Sequence, residues 1–355
     1  MNLDKIREQI DFIDTKLIHL FNERLELALR TRNYKKKTKD ASREIEVIER
    51  IRQHSNHLIE PDFAEAIFAR IIDESKRVQD RQPRLIGFQG AHGAYSEVAV
   101  RDFDPAAIPI PCRHFKDVFE SVENGEIDLG MVPVENNLAG QIAAANDLLV
   151  ERDVKIVAEA KVPVHHALLC RREVDPESLR FAYSHPVALA QCEGMLARRG
   201  LEPKSHYDTA GAAHTLMSDP QLRTVGVIAS KLCAELYDLK VVEENVEDDH
   251  RNSTRFVIVS KDGIDKGNKT SILFSTPNTA GSLTDILRIF SDRSINLTRI
   301  ESRPLRGQPE QYGFLADLEG GAQTKPVAEA LALLERQSEV FKVLGTYDRY
   351  EEPKS

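Results

Sequence analysis

VKIVAEAKVPVHHALLC, residues 154–170, is a long extended stretch, placed to carry the chain from one lobe of a domain to another, with a return near 240–256. Around it, short apolar runs alternate with helix-like segments. RLIGF (84–88), AIPIPC (107–112), DLGMVPV (128–134), LRFAYS (179–184), TVGVIAS (224–230), KVVEENV (240–246) and TRFVIVS (254–260) read as strands. SEVAVRDF (96–103), FKDVFESVENG (115–125), ANDLLVERD (145–153), ALAQCEGMLARRG (188–200), AGAAHTLMSD (210–219) and SKLCAELYDL (230–239) read as helices. The alternation predicts an α/β domain over 84–260, built as two lobes with a cleft between them. His165 and His166 lie in the stretch. Adjacent residues of a strand point to opposite faces, so the pair is not read as a metal site.

Two polar segments bound this region, QDRQPR (79–84) and DGIDKGNK (262–269). Beyond the second, SILFST, SLTDILRIFSDR, INLTRIESRP, YGFLADLEG, VAEALALLERQ and VFKVLGTY follow the order βαββαβ, which predicts a ferredoxin-like module over 270–348. Before the first, residues 1–80 have a helical period. Leu3, Ile6, Ile10, Ile13, Leu17, Leu20, Arg24 and Leu27 recur at spacings of three and four, a seam that includes one arginine. A helix from 3 to 37 is expected, about 50 Å long at ~1.5 Å per residue. Such a rod cannot bury its own stripe in so short a domain, so an intertwined helical dimer is expected. Two further helices are expected over 42–54 and 61–79, with Pro61 in the first turn of the last.

A chain of 355 residues with 41% hydrophobic and 30% charged residues fits a soluble protein of two or three domains. No apolar run approaches the ~20 residues of a bilayer span. The opening MNLDKIREQIDFID mixes charges and aliphatics, so no signal peptide and a cytoplasmic location are expected. Four cysteines lie far apart with no C-x-x-C, against zinc or a disulfide framework. The net charge of −9 falls entirely beyond residue 80, and no basic face suits nucleic acid. KKKTK (35–39) reads as a solvated helix end. No metal or cofactor is expected. GFQGAHG (87–93) departs from the dinucleotide spacing G-x-G-x-x-G and has no acidic residue after a second strand.

Polar residues where apolar ones belong carry the chemistry. Arg24 interrupts the helical seam, and Lys35 lies 11 residues on, nearly on the same face. Arg7 is rotated about 100° from them. In the third helix Ser75 and Gln79 continue the stripe of Phe68, Ile71 and Ile72. Core-facing polar groups without partners cost about 1–3 kcal/mol each. Together Arg24, Lys35, Ser75 and Gln79 define a cationic, hydrogen-bonding pocket suited to a small dianion, with no nucleophile and no paired carboxylates, which Arg7 joins easily only if chains combine. In the α/β domain three strand-to-helix junctions stand out: Glu135, Asn136 and Asn137; Ser184 and His185 before Pro186; and Asp208 with Thr209 at an N-cap. Their convergence in a cleft points to a second anionic ligand.

The motifs resemble known families. LDKIREQIDFIDTKL, NERLELALR, D-x-x-RE (40–44) and IIDESKRVQ are similar to the all-helical class of chorismate mutase. The resemblance implies that Arg7 of a partner chain, Arg24 and Arg43 serve two carboxylates. Lys35 and Gln79 would hold the ether oxygen, and Asp40, Glu44 and Ser75 the hydroxyl and its surroundings. G-x-x-G-x-x-x-x-Y-S (87–96), VPVEN (132–136), YSHP…QC (183–192) and NSTRF (252–256) resemble prephenate dehydratase, whose fold is two-lobed and periplasmic-binding-protein-like. That resemblance makes Thr254 the proton donor to the departing hydroxyl, Asn136 and Gln191 the groups that orient substrate, and Arg255 a carboxylate partner. ESRP (301–304) and Gly281-Ser282-Leu283-Thr284 resemble the phenylalanine-binding motifs of ACT-type domains, which implies that Gly281, Ser282, Leu283, Glu301 and Ser302 meet an effector. The expectation is a bifunctional enzyme taking chorismate to prephenate and then to phenylpyruvate, inhibited by L-phenylalanine and assembled as a homodimer or tetramer. The alternatives are a non-catalytic sensor with a helical dimerisation arm, or a chain that retains one of the two activities.

Overall fold

The computed structural model describes residues 3–34, 41–55, 57–264, 266–305 and 308–351; within these, the side chains of residue 4 and of 304–311 are not described. The chain begins with the helix Leu3–Arg30, a 3₁₀ turn Thr31–Tyr34, and the helices Ala41–His54 and Pro61–Asp80. The first helix therefore stops well short of 37. Arg32 bonds the Pro83 carbonyl and Asp128, Asn33 the Gly125 carbonyl, and Tyr34 Glu126. Contacts to the next domain pull the segment out of the helical path, overriding its propensity.

The α/β region contains two sheets. The first orders the strands Ile108–Cys112, Leu85–Gln89, Leu129–Asn136, Ser253–Ser260 and Lys155–Pro163, with Gly140–Gln141 beside Leu129–Asn136. The second orders Leu239–Glu244, Ala167–Arg171, Val225–Ala229, Phe181–Ser184 and Glu202–Ser205. The long stretch 154–170 thus supplies one strand to each sheet and crosses between them at 163–167. The return runs from 244 to 253. Two short strands, Gly140–Gln141 and Glu202–Ser205, have no apolar signature and are not foreseen from sequence. The helix expected over 188–200 is broken at Gln191 and Cys192 into Pro186–Ala190 and Glu193–Arg199, and the one expected over 230–239 is trimmed to Leu232–Leu236.

The lobes meet closely. Gly93 adopts φ +87, and a β-carbon there would lie 2.4 Å from the Cys233 sulfur. Its carbonyl accepts from Ser230 Oγ at 2.5 Å. One buried cluster spans both lobes, including Phe88, Met131, Leu169, Val227 and Phe256. A second joins all three regions: Leu29 of the first helix and Leu273 and Tyr347 of the C-terminal module pack with Leu85, Val132 and Val257.

The C-terminal sheet is antiparallel, ordered Leu297–Leu305, Gln308–Glu319, Lys269–Thr276, Phe341–Tyr347, with helices Ser282–Ser291 and Lys325–Gln337. Every residue of Lys269–Thr276 is buried, as befits a central strand covered on both faces. Among the described residues no helix is long and apolar enough to cross a membrane.

Candidate functional site

Thr254 is the second residue of the strand Ser253–Ser260, which is antiparallel to both neighbours and pairs Thr254 with Asn136. The pairing brings two end-of-strand polar residues side by side. Asn136 Nδ2 lies 3.0 Å from Thr254 Oγ1, 2.8 Å from Asn252 Oδ1 and 3.2 Å from the Ser253 carbonyl. Its own Oδ1 accepts from the backbone N–H groups of Leu138 and Ala139, which fixes the amide's orientation. Asn136 therefore donates into Thr254 Oγ1 and leaves the threonine's own proton available to point elsewhere. Thr254 is 8% exposed and Asn252 1%. Asn137 braces the approach, accepting from Ser253 N–H and donating to the Arg251 carbonyl.

A second polar group bridges the lobes at the crossover. His166 Nε2 lies 3.0 Å from Gln191 Oε1 in the second lobe, and its Nδ1 lies 2.8 Å from the Tyr95 hydroxyl in the first. Burial lowers the His166 pKa, keeping the ring neutral, and pushes the Tyr95 phenol well above its ordinary value. The Gln191 oxygen facing Nε2 calls for a proton there, which leaves Nδ1 as the acceptor, and the single Tyr95 hydroxyl proton is then divided between Nδ1 and the His165 carbonyl at 2.7 Å. That tautomer takes up the Gln191 oxygen and turns its amide N–H₂ outward. The two groups are joined by backbone, Val164 N–H to the Asn252 carbonyl at 2.9 Å.

The other residues singled out in this domain divide. His185 caps its helix through Val187 N–H, and Thr209 is half-buried at the start of Thr209–Ser218. Asp208, at the N-cap, makes no side-chain cap bond; its carboxylate reaches across to Ala91 N–H of the first lobe. Ser184 is fully buried and donates to the Ile228 carbonyl at 2.6 Å, a bond within the sheet rather than toward the cleft. Arg255 is also redirected. As Thr254's neighbour on a strand it points to the other face, where it pairs with Glu159 at 2.9 Å and Asp317 at 2.7 Å. Lys269, Ser271 and Tyr347 complete this buried ionic group beneath the C-terminal module. A hollow of ≈ 780 Å³ lined by Glu135, Lys161, Arg255 and Arg299 lies on that side. Arg255 is not a carboxylate partner at the Thr254 face.

In the helical region Arg24 Nη1 donates to Ser75 Oγ at 3.0 Å, and Gln79 Nε2 bonds the Ala28 carbonyl and, at 3.3 Å, Thr31 Oγ1. Ser75 and Gln79 are buried. The spacing thus brings Arg24, Ser75 and Gln79 together between the first and third helices, and burial lowers the Arg24 pKa. Glu44 pairs with Lys76 at 3.1 Å, and Arg43 with Glu46 at 2.7 Å. Arg7 is exposed. Lys35 and Asp40 lie outside the described residues.

In the C-terminal module Gly281, φ +94, is the N-cap of Ser282–Ser291, where a side chain would be strained. Leu283 is half-buried behind it and Ser282 Oγ meets Thr279 Oγ1 at 2.6 Å. Glu301 pairs with Arg299 at 2.6 Å, and Ser302 is exposed beside it on the outer strand.

His166, Tyr95 and Asn252 are the cleft residues that sequence reasoning gave no role. The signal for His166 is present: Val162, Val164 and His166 form the buried face of an alternating run. A histidine on an apolar face needs partners.

A helical arm with a half-buried arginine held by a buried serine, a two-lobed α/β domain with a threonine-centred amide cluster, and a βαββαβ module define a multidomain enzyme acting on small molecules. Family profiles described as chorismate mutase type II, prephenate dehydratase and ACT domain match residues 6–80, 86–264 and 270–334. A bifunctional chorismate mutase/prephenate dehydratase of Aquifex aeolicus is 32% identical over 358 residues, 98% of each chain. Among solved structures, prephenate dehydratase of Arthrobacter aurescens in complex with L-Phe is 32% identical with a TM-score of 0.70, over 75% of this chain and 90% of that one. A protein described as a novel type of quorum-quenching acylase is 36% identical with the same TM-score, over 74% and 97%. The chain belongs to the bifunctional chorismate mutase/prephenate dehydratase family.

Proposed function

We propose that the helical arm rearranges chorismate to prephenate and that the cleft converts prephenate to phenylpyruvate, with L-phenylalanine acting on the C-terminal module. The Asn136–Thr254 hydrogen bond carries the second step. A threonine hydroxyl is by itself a weak acid. Accepting from Asn136 polarises its O–H toward donation. Thr254 then protonates the departing ring hydroxyl as the C–C bond to the ring carboxylate breaks, and that electron pair completes the aromatic ring. Carbon dioxide and water leave, and solvent returns the proton to Thr254. Gln191, turned by His166, and Asn136 hold the substrate. His185 and Thr209 line the second-lobe side.

The first step is pericyclic and needs no acid or base, only donors fixed where charge develops. Arg24 supplies such a donor on a preformed helix pair, held by Ser75, whose own hydroxyl donates to the Ile71 carbonyl, and Gln79 faces the same gap. The first helix exposes Leu3, Ile10, Ile13 and Leu20 by more than half. An apolar stripe of that length calls for a partner, and a second copy would cover it while bringing its Arg7 to this pocket. Glycine at 281 leaves the first-helix N–H groups of the C-terminal module open to an amino acid's carboxylate, with Leu283, Glu301 and Ser302 nearby in the motif.

A fold shared with a protein described as an acylase does not set the chemistry by itself. The discriminating experiment feeds chorismate to the purified chain and follows prephenate and phenylpyruvate separately. Wild type is expected to reach phenylpyruvate. Thr254→Ala is expected to accumulate prephenate, with dehydratase turnover down by about 10²–10⁴, the span of general acid catalysis. If neither product forms from wild type, the chain is a sensor rather than an enzyme.

A further inference from the structure

The two crossovers between the lobes lie against each other. Besides the Val164–Asn252 bond, Val246 N–H donates to the His166 carbonyl at 3.0 Å. Three side chains from these segments converge on one point. His165 Nδ1 lies 2.7 Å from Glu247 Oε1, and His250 Nδ1 lies 3.1 Å from the same oxygen. The ligand atoms of the three residues all fall within 4.8 Å of one another. Glu247 is buried, its side chain 1% exposed, and its other oxygen is fixed by His166 N–H at 2.8 Å. The two rings lie on the solvent side, 47% and 66% exposed.

We propose that His165, Glu247 and His250 bind a divalent transition-metal ion of the Zn²⁺ or Co²⁺ type. Tetrahedral sites hold nitrogen and oxygen donors at about 2.0–2.2 Å, which puts neighbouring donors about 3.3 Å apart. At 3.1 Å the His250 nitrogen is close to that separation from the carboxylate oxygen, and at 2.7 Å the His165 nitrogen has to move outward by roughly half an ångström. The remaining pair closes by rotating two exposed imidazoles. Two nitrogens and one oxygen favour a borderline transition ion over Mg²⁺ or Ca²⁺, and three protein ligands leave one position for water. The buried, backbone-anchored carboxylate supplies the outer support that orients such a ligand. His166 takes no part, since it faces Tyr95 and Gln191. The ion replaces the Nδ1 protons that now point at Glu247. It also ties the outward crossover to the return one, the two segments that join the lobes, and would hold them at one hinge angle.

The test titrates Co²⁺ into the full chain after EDTA treatment and follows visible absorption. One saturable equivalent per chain, displaced by Zn²⁺, is expected. His250→Ala should weaken it by more than about tenfold, the smaller loss seen even for outer-sphere partners, and the His165→Ala/His250→Ala double variant should abolish it. Circular dichroism checks that both variants fold. Absence of a saturable signal, or an equal signal in the double variant, overturns the site. The second readout rests on the cleft being the dehydratase. Zn²⁺ should slow phenylpyruvate formation in wild type, without slowing prephenate formation, and leave the double variant's rate unchanged. Equal slowing in both proteins, or none in a wild type that binds one equivalent, overturns the hinge role while leaving the binding result to stand on its own.

Discussion

Thr254 and Arg255 are consecutive and face opposite ways. One hydroxyl meets Asn136 in the cleft; the next guanidinium is sealed against Glu159 and Asp317. The sequence makes the threonine legible, because a polar approach runs into an apolar strand. It hides the arginine's direction, because the strand is covered on both faces and lacks a polar, solvent side to mark the register. His166 is the converse case, a buried histidine whose alternation is readable and whose partners, from positions 95 and 191, are not. His166→Gln, which keeps a donor toward Gln191, should retain most dehydratase activity. His166→Leu should lower kcat by about 10², the loss a misplacement of about 1 Å produces. Mutase activity of both variants should match wild type. Equal rates for the two variants would remove His166 from positioning Gln191.

At the scale of elements, the first helix does more than line the mutase pocket, since it also docks on the α/β domain. Its seam is plain in the sequence, but its docking side is not, since Phe12 under Arg171, His19 stacked on Tyr237, and Glu26 look like ordinary surface residues until the lobes are in place. Glu26 reaches His92 Nε2 at 3.0 Å, while His92 Nδ1 lies 3.0 Å from the fully buried Glu97. Burial opposes the imidazolium, yet the two carboxylates raise its pKa from 6.5 to about 9. A folded pKa above the unfolded one stabilises the protein fully below the unfolded value and loses that contribution as pH rises through the folded value. Docking of the helix should therefore be firm below pH 6.5 and weaken through about pH 9. Hydrogen exchange of residues 8–30 at pH 6.5 and 9.5 checks this. Protection should fall with pH in wild type and change less in Glu26→Gln.

Across the whole molecule, the order of the three regions is written in periodicity: 3.6 for the arm, alternating runs for the lobes, βαββαβ for the tail. What holds them in place is not. Glu159, Lys269 and Asp317 are scattered over more than 150 residues, and nothing local marks them as one ionic group. Burial works against charge on Asp317, but Arg255 and Lys269 hold its carboxyl below the usual range. Arg299 continues the contact, bonding Glu301 of the effector motif as well as Gln141 and Asn146 of the first lobe. This is a physical route from the C-terminal module to the strand that carries Thr254. Asp317→Asn should leave phenylalanine binding measurable by calorimetry while reducing the dehydratase inhibition proposed for bound phenylalanine, a coupling typically worth about 5–150-fold. Undiminished inhibition would place the coupling elsewhere.

The burial of Leu29 among Leu85, Ile110 and Val132 bears on how the protein can be dissected. The polar linker invites a cut near residue 80, as if two enzymes had been threaded on one string. Yet the last turn of the first helix is a plug in the neighbour's interior, and Arg30 and Arg32 neutralise Glu126 and Asp128 on its rim. A dehydratase freed of its arm would carry an open hydrophobic socket ringed by uncompensated carboxylates. Its solubility, more than its catalysis, is where the separation would show.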